Sequence, residues 1–175
     1  MKYFIISDIH GCAPFLNDAI EKYESSFADY LIILGDILYH GARNPLPVGY
    51  DPIECTNILN KNKDRIIAIR GNCDSEVDKM VLEFSILESN ILIHLGKRVF
   101  LNHGHLDLVS NPVEGDSIIQ GHTHVVQATK VDGVNYLNPG SISIPKGEFE
   151  NSYAILDDKF SVYNFNDELL AELKL

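Results

Sequence analysis

Five short apolar runs, rich in isoleucine, punctuate the first 120 residues of the chain: Lys2–Ser7 (KYFIIS), Asp29–Leu34 (DYLIIL), Asp64–Arg70 (DRIIAIR), Lys97–Asn102 (KRVFLN) and Asp116–Gln120 (DSIIQ). Near-continuous apolar runs of this length suit strands buried on both faces. Between the early runs lie two amphipathic stretches, Pro14–Tyr23 and Pro52–Asn60. Each opens with proline, whose fixed φ and missing N–H fit the first turn of a helix. The alternation predicts a layered α/β domain.

Later the pattern changes. VVQATKV (Val125–Val131), GVNYLN (Gly133–Asn138), SYAILD (Ser152–Asp157) and KFSVYNF (Lys159–Phe165) read as strands, separated by turn signals such as Asp132-Gly133 and Asp157-Asp158. These predict hairpins without intervening helices. The segment Tyr39–Pro52 holds three of the seven prolines and no periodicity, and so reads as a long loop. The tail Asn166–Leu175 is amphipathic and suits a last strand or a partner contact. With no repeat, linker or low-complexity tract, residues 1–175 are expected to form one domain, a length able to bury one substantial core.

Composition narrows the classes. Fourteen basic against 25 acidic residues give a net charge of −11, which repels polyanions and offers no counterion-release drive toward nucleic acid. No apolar run is long enough to cross a bilayer, and the acidic Asp8 follows the first hydrophobic run at once, which suits a strand better than a signal peptide. The three cysteines, Cys12, Cys55 and Cys73, lie far apart with no CxxC pair. They read as free thiols in a reducing cytoplasm, Cys12 and Cys55 as small buried hydrophobes.

The chemistry gathers where the five apolar runs end. The first leads to Asp8 and His10, the second to Gly35-Asp36, the third to Gly71-Asn72, the fourth to Asn102-His103 and the fifth to Gly121-His122, with His105 and His124 two residues further on. Ligands collect beyond the carboxyl ends of strands in open α/β sheets, so these groups are expected to converge. Adjacent glycines permit tight turns and close backbone approach. If the chain stays extended, residues i and i+2 point the same way, and successive imidazoles would reach two ions about 3.5–4 Å apart from one side. Taken singly, each residue has a plainer reading as a helix cap, a turn residue or a satisfied histidine; the accumulation on five strand ends argues for a metal centre. Imidazole and carboxylate donors favour manganese, iron, zinc or similar ions, and such a site suits hydrolysis of a phosphate ester.

The ordered pieces DIHG, GD, GNCD, HGH and GHTH resemble the signature of the calcineurin-like metallophosphoesterase superfamily. The longer pieces HGARN, IRGNCDSEVDKM and NPGSISIPKG resemble its small bacterial YfcE-type phosphodiesterases, over about Met1 to Asp158. The resemblance implies a sandwich of two mixed β-sheets flanked by helices. It implies two divalent transition-metal ions, manganese first among them, with zinc, iron and nickel open. One ion would be held by Asp8, His10, Asp36 and His124 and the other by Asp36, Asn72, His103 and His122, with Asp36 bridging. The implied reaction is in-line attack of a metal-bridging hydroxide on a small phosphodiester.

One position departs from the broader superfamily pattern. Many members read Gly-Asn-His-Asp where this chain has Gly71-Asn72-Cys73-Asp74. A thiol is a poorer acid at neutral pH than an imidazolium, so Cys73 predicts weak phosphomonoesterase activity and a preference for diesters with acidic leaving groups. The YfcE-type branch shares this cysteine. His105 is the substitute acid or phosphate contact, and Arg43 in the long loop could reach the phosphate bidentately. His40 and Asn44 share that loop as weaker candidates. His94 reads as a strand-surface histidine, Asp74 as a cap for the segment beginning Ser75-Glu76 in preference to a group orienting Asn72 or the loop, and Ser141 as a residue of a turn near the site. The rival class is an interaction scaffold that keeps the fold without catalysis, against which the intact donor set argues. A nuclease suits the charge poorly, and no C-x5-R or P-loop pattern occurs. A small phosphodiester is the expected partner, without nucleic-acid polymer or membrane, and a homo-oligomer is left open.

Overall fold

A computed structural model describes residues 1–175. In chain order it contains β1 (Tyr3–Ile6), α1 (Ala13–Ser26), β2 (Tyr30–Ile33), α2 (Pro52–Lys61), β3 (Ile66–Ile69), α3 (Glu76–Val81), β4 (Ile86–Leu87), β5 (Ser89–His94), β6 (Lys97–Asn102), β7 (Ser117–Ile119), β8 (Gln127–Val131), β9 (Val134–Asn138), β10 (Ser152–Leu156), β11 (Lys159–Asn164) and β12 (Leu169–Lys174). All five apolar runs form strands. The third is shorter than its run, because Lys63–Arg65 wind into a 3-10 turn before β3 begins. The tail supplies the edge strand β12, antiparallel to β11.

The strands form two mixed sheets, one ordered β12-β11-β10-β1-β2-β3-β4 and the other β5-β6-β7-β9-β8. In the first, β1 to β4 run parallel while β10 to β12 are antiparallel additions. In the second, β6, β7 and β9 are parallel. The expected sandwich of two mixed sheets with helices outside is therefore the observed fold. The late hairpins turn as their sequence required: Asp132 and Gly133 both adopt positive φ, +50° and +80°, the conformation of a tight hairpin turn.

Period-2 alternation divides the core into two layers. Phe4, Ile6, Leu31 and Ile33 face α1 and α2, against Leu16, Ile20, Tyr23, Cys55 and Leu59. Tyr3, Ile5, Ile32 and Leu34 point the other way, into the space between the sheets, where they meet Val99, Leu101, Ile119, Leu137 and Phe160. Both faces of β1 and β2 are thus buried, and each fully buried side chain of this size contributes roughly 1.5–3 kcal/mol. This two-sided packing fixes the height at which β1 and β2 end, and so fixes Asp8 and Asp36.

Two expectations are corrected. His94 is buried, not on the surface: its Nε2 meets the Asp157 carbonyl and its ring lies edge-on to Tyr3 with centroids 5.7 Å apart. Asp74 does not cap α3, and of its two readings the loop-orienting one is what the structure shows. Ser75 caps that helix in a reciprocal capping box with Asp78, which frees Asp74 for another task described below. Cys12 and Cys55 are buried as expected. No helix is long and apolar enough to cross a membrane.

Candidate metal centre

Asp8, His10, Asp36, His122 and His124 all adopt left-handed backbone conformations, with φ of +53°, +50°, +54°, +65° and +60°. Non-glycine residues hold that region at a cost of about 1–3 kcal/mol each, and only where their surroundings over-determine them. The premise of an extended chain at these residues was therefore wrong: after each strand the chain coils, and residues i and i+2 are separated by a turn. The surroundings are specific. The Asp8 amide donates to Gly35 O at 3.1 Å and the His10 amide to Asp36 O at 2.8 Å, which stitches the ends of β1 and β2 together. The Asp8 carbonyl accepts the hydroxyls of Ser141 and Ser143 at 2.8 and 2.9 Å. Sequence reasoning left Ser141 as a turn residue and missed Ser143; no local signal ties either to a carbonyl more than 130 residues away.

Three imidazoles are oriented by the same device. Nδ1 of His10 lies 2.9 Å from Tyr39 O, Nδ1 of His103 2.6 Å from Leu34 O, and Nδ1 of His124 against Ile144 O. A carbonyl only accepts, so each Nδ1 carries a proton and each Nε2 points inward, where it is the ring atom available to a metal. His10 Nε2 and His124 Nε2 then face each other at 3.4 Å. Two ring nitrogens at that separation repel unless a proton or a metal ion lies between them. Asp8 completes the group. Its Oδ2 accepts Ser7 Oγ at 2.7 Å and the His122 amide at 3.0 Å, whereas its buried Oδ1 has no hydrogen-bond partner. That oxygen sits 3.3 Å from His124 Nε2, 3.8 Å from His10 Nε2 and 4.0 Å from His103 Nε2. Such distances are long for hydrogen bonds and suit donors sharing an ion. The residues present fit a divalent metal.

Asp36 stands between two halves of the cluster, its Oδ2 3.7 Å from His10 Nε2 and 3.5 Å from His103 Nε2. Its Oδ1 accepts the Cys73 amide at 2.8 Å. On the far side, Asn72 Oδ1 lies 3.2 Å from His103 Nε2, and the His122 ring packs edge-on to His103 at 5.1 Å. All seven expected donors, Asp8, His10, Asp36, Asn72, His103, His122 and His124, are therefore brought together. Donor atoms of three trios, Asp8-His10-His124, His10-Asp36-Cys73 and Asp8-Asp36-His103, lie within 4.8 Å of one another.

The electrostatics call for positive charge. Burial works against the charged forms of both Asp36 and His103, yet their mutual contact wins: Asp36 is held well below the usual carboxylate range, and His103 is pushed up to about 9 with Asp8 assisting. Burial lowers His10, His105 and His122. Burial, then the Asp36 charge, pushes the Cys73 thiol up to about 12, so Cys73 is a neutral thiol at physiological pH.

A cavity of about 690 Å³ opens over this cluster, and Arg43, Asn72, Cys73, His122, His124 and Lys146 line it. Arg43 therefore faces the same space as Cys73. Lys146 was missed from sequence, although it lies in the NPGSISIPKG segment; its amide donates to His124 O at 3.1 Å. His105 does not line that cavity and packs beside His103 and His122, with ring centroids 5.3 and 6.2 Å away. His40 stands apart, edge-on to Tyr39 and Tyr50, with Asn44 donating to its carbonyl.

Two mixed sheets whose strand ends pool buried imidazoles and carboxylates define the metallophosphoesterase class. Residues 1–159 match the calcineurin-like phosphoesterase superfamily domain, and the chain belongs to that superfamily, whose members use divalent metal ions. It is 45% identical over 173 residues to Phosphodiesterase YfcE of Escherichia coli strain K12, covering 96% of this chain and 94% of that protein. The solved structure of the E. coli phosphoesterase Yfce superposes with a TM-score of 0.96 at 40% identity, covering 99% of both chains. Vacuolar protein sorting 29 from Cryptosporidium parvum superposes with a TM-score of 0.67 at 17% identity over 99% of this chain and 98% of that one, a likeness of fold alone.

Proposed function

We propose that this protein is a metal-dependent phosphodiesterase acting on small phosphodiesters, weak on monoesters, and that Asp8, His10, Asp36 and His124 hold one divalent ion while Asp36, Asn72, His103 and His122 hold a second. The observation that carries the reading is the pair of inward-facing Nε2 atoms of His10 and His124, 3.4 Å apart, beside the unpartnered Asp8 Oδ1. Nitrogen and oxygen donors without a thiolate favour manganese, with zinc, iron and nickel as alternatives. Two such ions, when bound, polarise the phosphoryl oxygens and lower the pKa of a water poised for in-line displacement.

The chain's own residues do the rest. Asp36, between the two halves, sets their spacing. Arg43 and Lys146 bring positive charge to the phosphate cavity. The neutral Cys73 thiol lines the cavity without adding charge or a ready proton, which suits a diester monoanion better than a monoester dianion. His105 packs against the rings of His103 and His122 outside the phosphate cavity, where it supports the imidazoles of the second ion and does not meet the leaving oxygen. The net charge of −11 disfavours long polyanions, so small diesters are the substrate class. Three free thiols suit a reducing cytoplasm, and the chain works as one catalytic domain over residues 1–175.

Hydrolysis of bis-p-nitrophenyl phosphate in the presence of manganese tests the assignment. Turnover abolished by chelation and restored by manganese is expected. The fold likeness to vacuolar protein sorting 29 motivates the rival reading of a non-catalytic scaffold; a protein that binds manganese yet cleaves no phosphodiester would establish that rival.

A further inference from the structure

A second concavity adjoins the phosphate cavity. This open groove of about 460 Å³ shares Tyr39 and Cys73 with the polar cavity, and its other walls include Tyr50, Ile53, Val77 and Val81. Ile53 is 75% exposed, Val77 61% and Val81 42%, on two different helices, α2 and α3, so one continuous apolar strip stands open to water. Several polar groups in the groove are already engaged. Both Asp78 carboxylate oxygens bond Ser75, Thr56 Oγ1 donates to Pro52 O, and Asn57 Nδ2 donates to Glu54. A charged substituent entering here would lose water and meet no free group of opposite charge. An aromatic or other apolar group would gain contact on two sides.

Resting on the phosphodiesterase reading above, we propose that this groove is the subsite for one ester arm of the substrate, and that it selects phosphodiesters carrying an aromatic or comparably apolar group. The continuity of the two cavities carries the inference. Cys73 forms part of the wall of both, so a phosphorus atom over the metal cluster places one of its ester oxygens at the mouth of the groove. The volume lies within the range of small-ligand sites. Ile53, Val77 and Val81 therefore act as specificity determinants without touching the reacting atoms. Their side chains contribute little to the core, which explains why sequence patterning on α2 and α3 left them without a role.

Calorimetric titration of the manganese-loaded protein with benzylphosphonate and methylphosphonate tests this directly. In benzylphosphonate a methylene takes the place of the ester oxygen, so the shared head group sits on the metals and only one ligand reaches the groove. Benzylphosphonate is expected to bind about tenfold or more tightly than methylphosphonate. In Ile53→Asp and Val77→Asp, two exposed positions whose substitution leaves the core intact, the ratio should fall toward one while the methylphosphonate Kd holds. Equal binding of the two ligands by a protein that cleaves bis-p-nitrophenyl phosphate would overturn the subsite and leave the enzyme assignment standing. So would a benzyl preference that survives both substitutions. Failure to bind either phosphonate, together with no diester cleavage, would instead sink the underlying phosphodiesterase reading.

Discussion

The Asp74 carboxylate grips Asp36 by its backbone: Oδ2 accepts the Asp36 amide at 2.9 Å and Oδ1 accepts the neighbouring Ile37 amide at 2.7 Å. The same Oδ2 accepts the Gly71 amide at 2.7 Å. One buried side chain thus joins the ends of β2 and β3 and fixes the left-handed turn that presents Asp36. Asp74→Ala leaves three buried amides unpaired and should destabilise the fold by about 3 kcal/mol or more. Asp74→Asn, which keeps one acceptor oxygen, should fold but lose roughly 10–100-fold in manganese affinity, the usual cost of removing a group that orients metal ligands. Calorimetric manganese titration of the Asn variant checks it; wild-type affinity there would reduce Asp74 to a purely structural role.

Glycine beside the donors serves two different needs, and two variants separate them. A Cβ on Gly121 would lie 1.9 Å from Ser7 Oγ and 2.9 Å from Asp8 Oδ2, and one on Gly71 would lie 2.1 Å from Asp36 Oδ1. Neither glycine has a positive φ, so here the requirement is space alone. Gly121→Ala should displace Asp8 and weaken metal binding far more than Gly96→Ala, whose Cβ meets nothing within 4 Å but whose φ of +78° makes it a turn variant. Comparing manganese affinity with melting temperature across the pair distinguishes crowding of the site from backbone strain; equal metal affinity in both would refute the crowding account.

Metal should act as a structural tie as well as a reagent. With His10 Nε2 and His124 Nε2 facing each other, an ion held between them replaces repulsion with two bonds. At about 100 times its dissociation constant a bound ligand stabilises the native state by roughly 2.7 kcal/mol, which for a chain of this size is a rise of about 5–10 °C in Tm. Chelator should reverse it, and His124→Ala should remove most of it. A melting temperature indifferent to both manganese and chelator would contradict the cation-bridged geometry.

Cys73 offers a handle on substrate charge. Its thiol, pushed up to about 12 by burial and by Asp36, neither carries charge nor gives up a proton readily near neutral pH. Cys73→His places an imidazole in the same wall. The ratio of p-nitrophenyl phosphate to bis-p-nitrophenyl phosphate turnover should rise by about tenfold or more, a modest share of what a positioned acid contributes. An unchanged ratio would remove the explanation offered for weak monoester hydrolysis.

The donors were legible because each sits where an apolar run stops, and the runs themselves were unmistakable: Ile6, Ile69 and Ile119 each close a buried strand just before a polar residue, and β2 runs out through Leu34 and Gly35 to Asp36. What local pattern could not carry was the work done at a distance. Asp74 looked like a helix cap because Ser75 and Asp78 follow it, yet the two later residues cap each other and leave Asp74 to hold amides 37 and 38 positions away. His94 read as exposed because its strand alternates; its burial comes from the loop carbonyl of Asp157, which belongs to the other sheet. Lys146 and Ser143 were invisible for the same reason, since each bonds a carbonyl far off in the chain, Lys146 N–H that of His124 and Ser143 Oγ that of Asp8. The left-handed turns at Asp8 and His10 likewise follow from tertiary hydrogen bonds, which override the extended geometry that a strand end suggests.

Away from the site, Cys55 sets an alkaline limit on the fold. It is fully buried on α2, against the helix-facing layer of the core. Burial, with Cys12 next, pushes its thiol from an ordinary value of 9.0 up to about 12. The folded value is raised, so the contribution to stability is fully present below the unfolded value of 9.0 and is lost as pH climbs toward about 12. Over that window the loss is about 1.4 kcal/mol per pH unit, because the unfolded chain ionises its thiol while the folded chain holds the proton. Cys55→Ala removes the titrating group and leaves a small cavity, so it should be slightly less stable than the wild type at pH 8 and lose less stability between pH 9 and 11. Urea midpoints at these pH values for the two proteins read the difference directly. Parallel declines would mean that the alkaline limb belongs to other buried groups, of which Tyr153, raised by burial and by its hydrogen bond to Asp167, is the next to substitute.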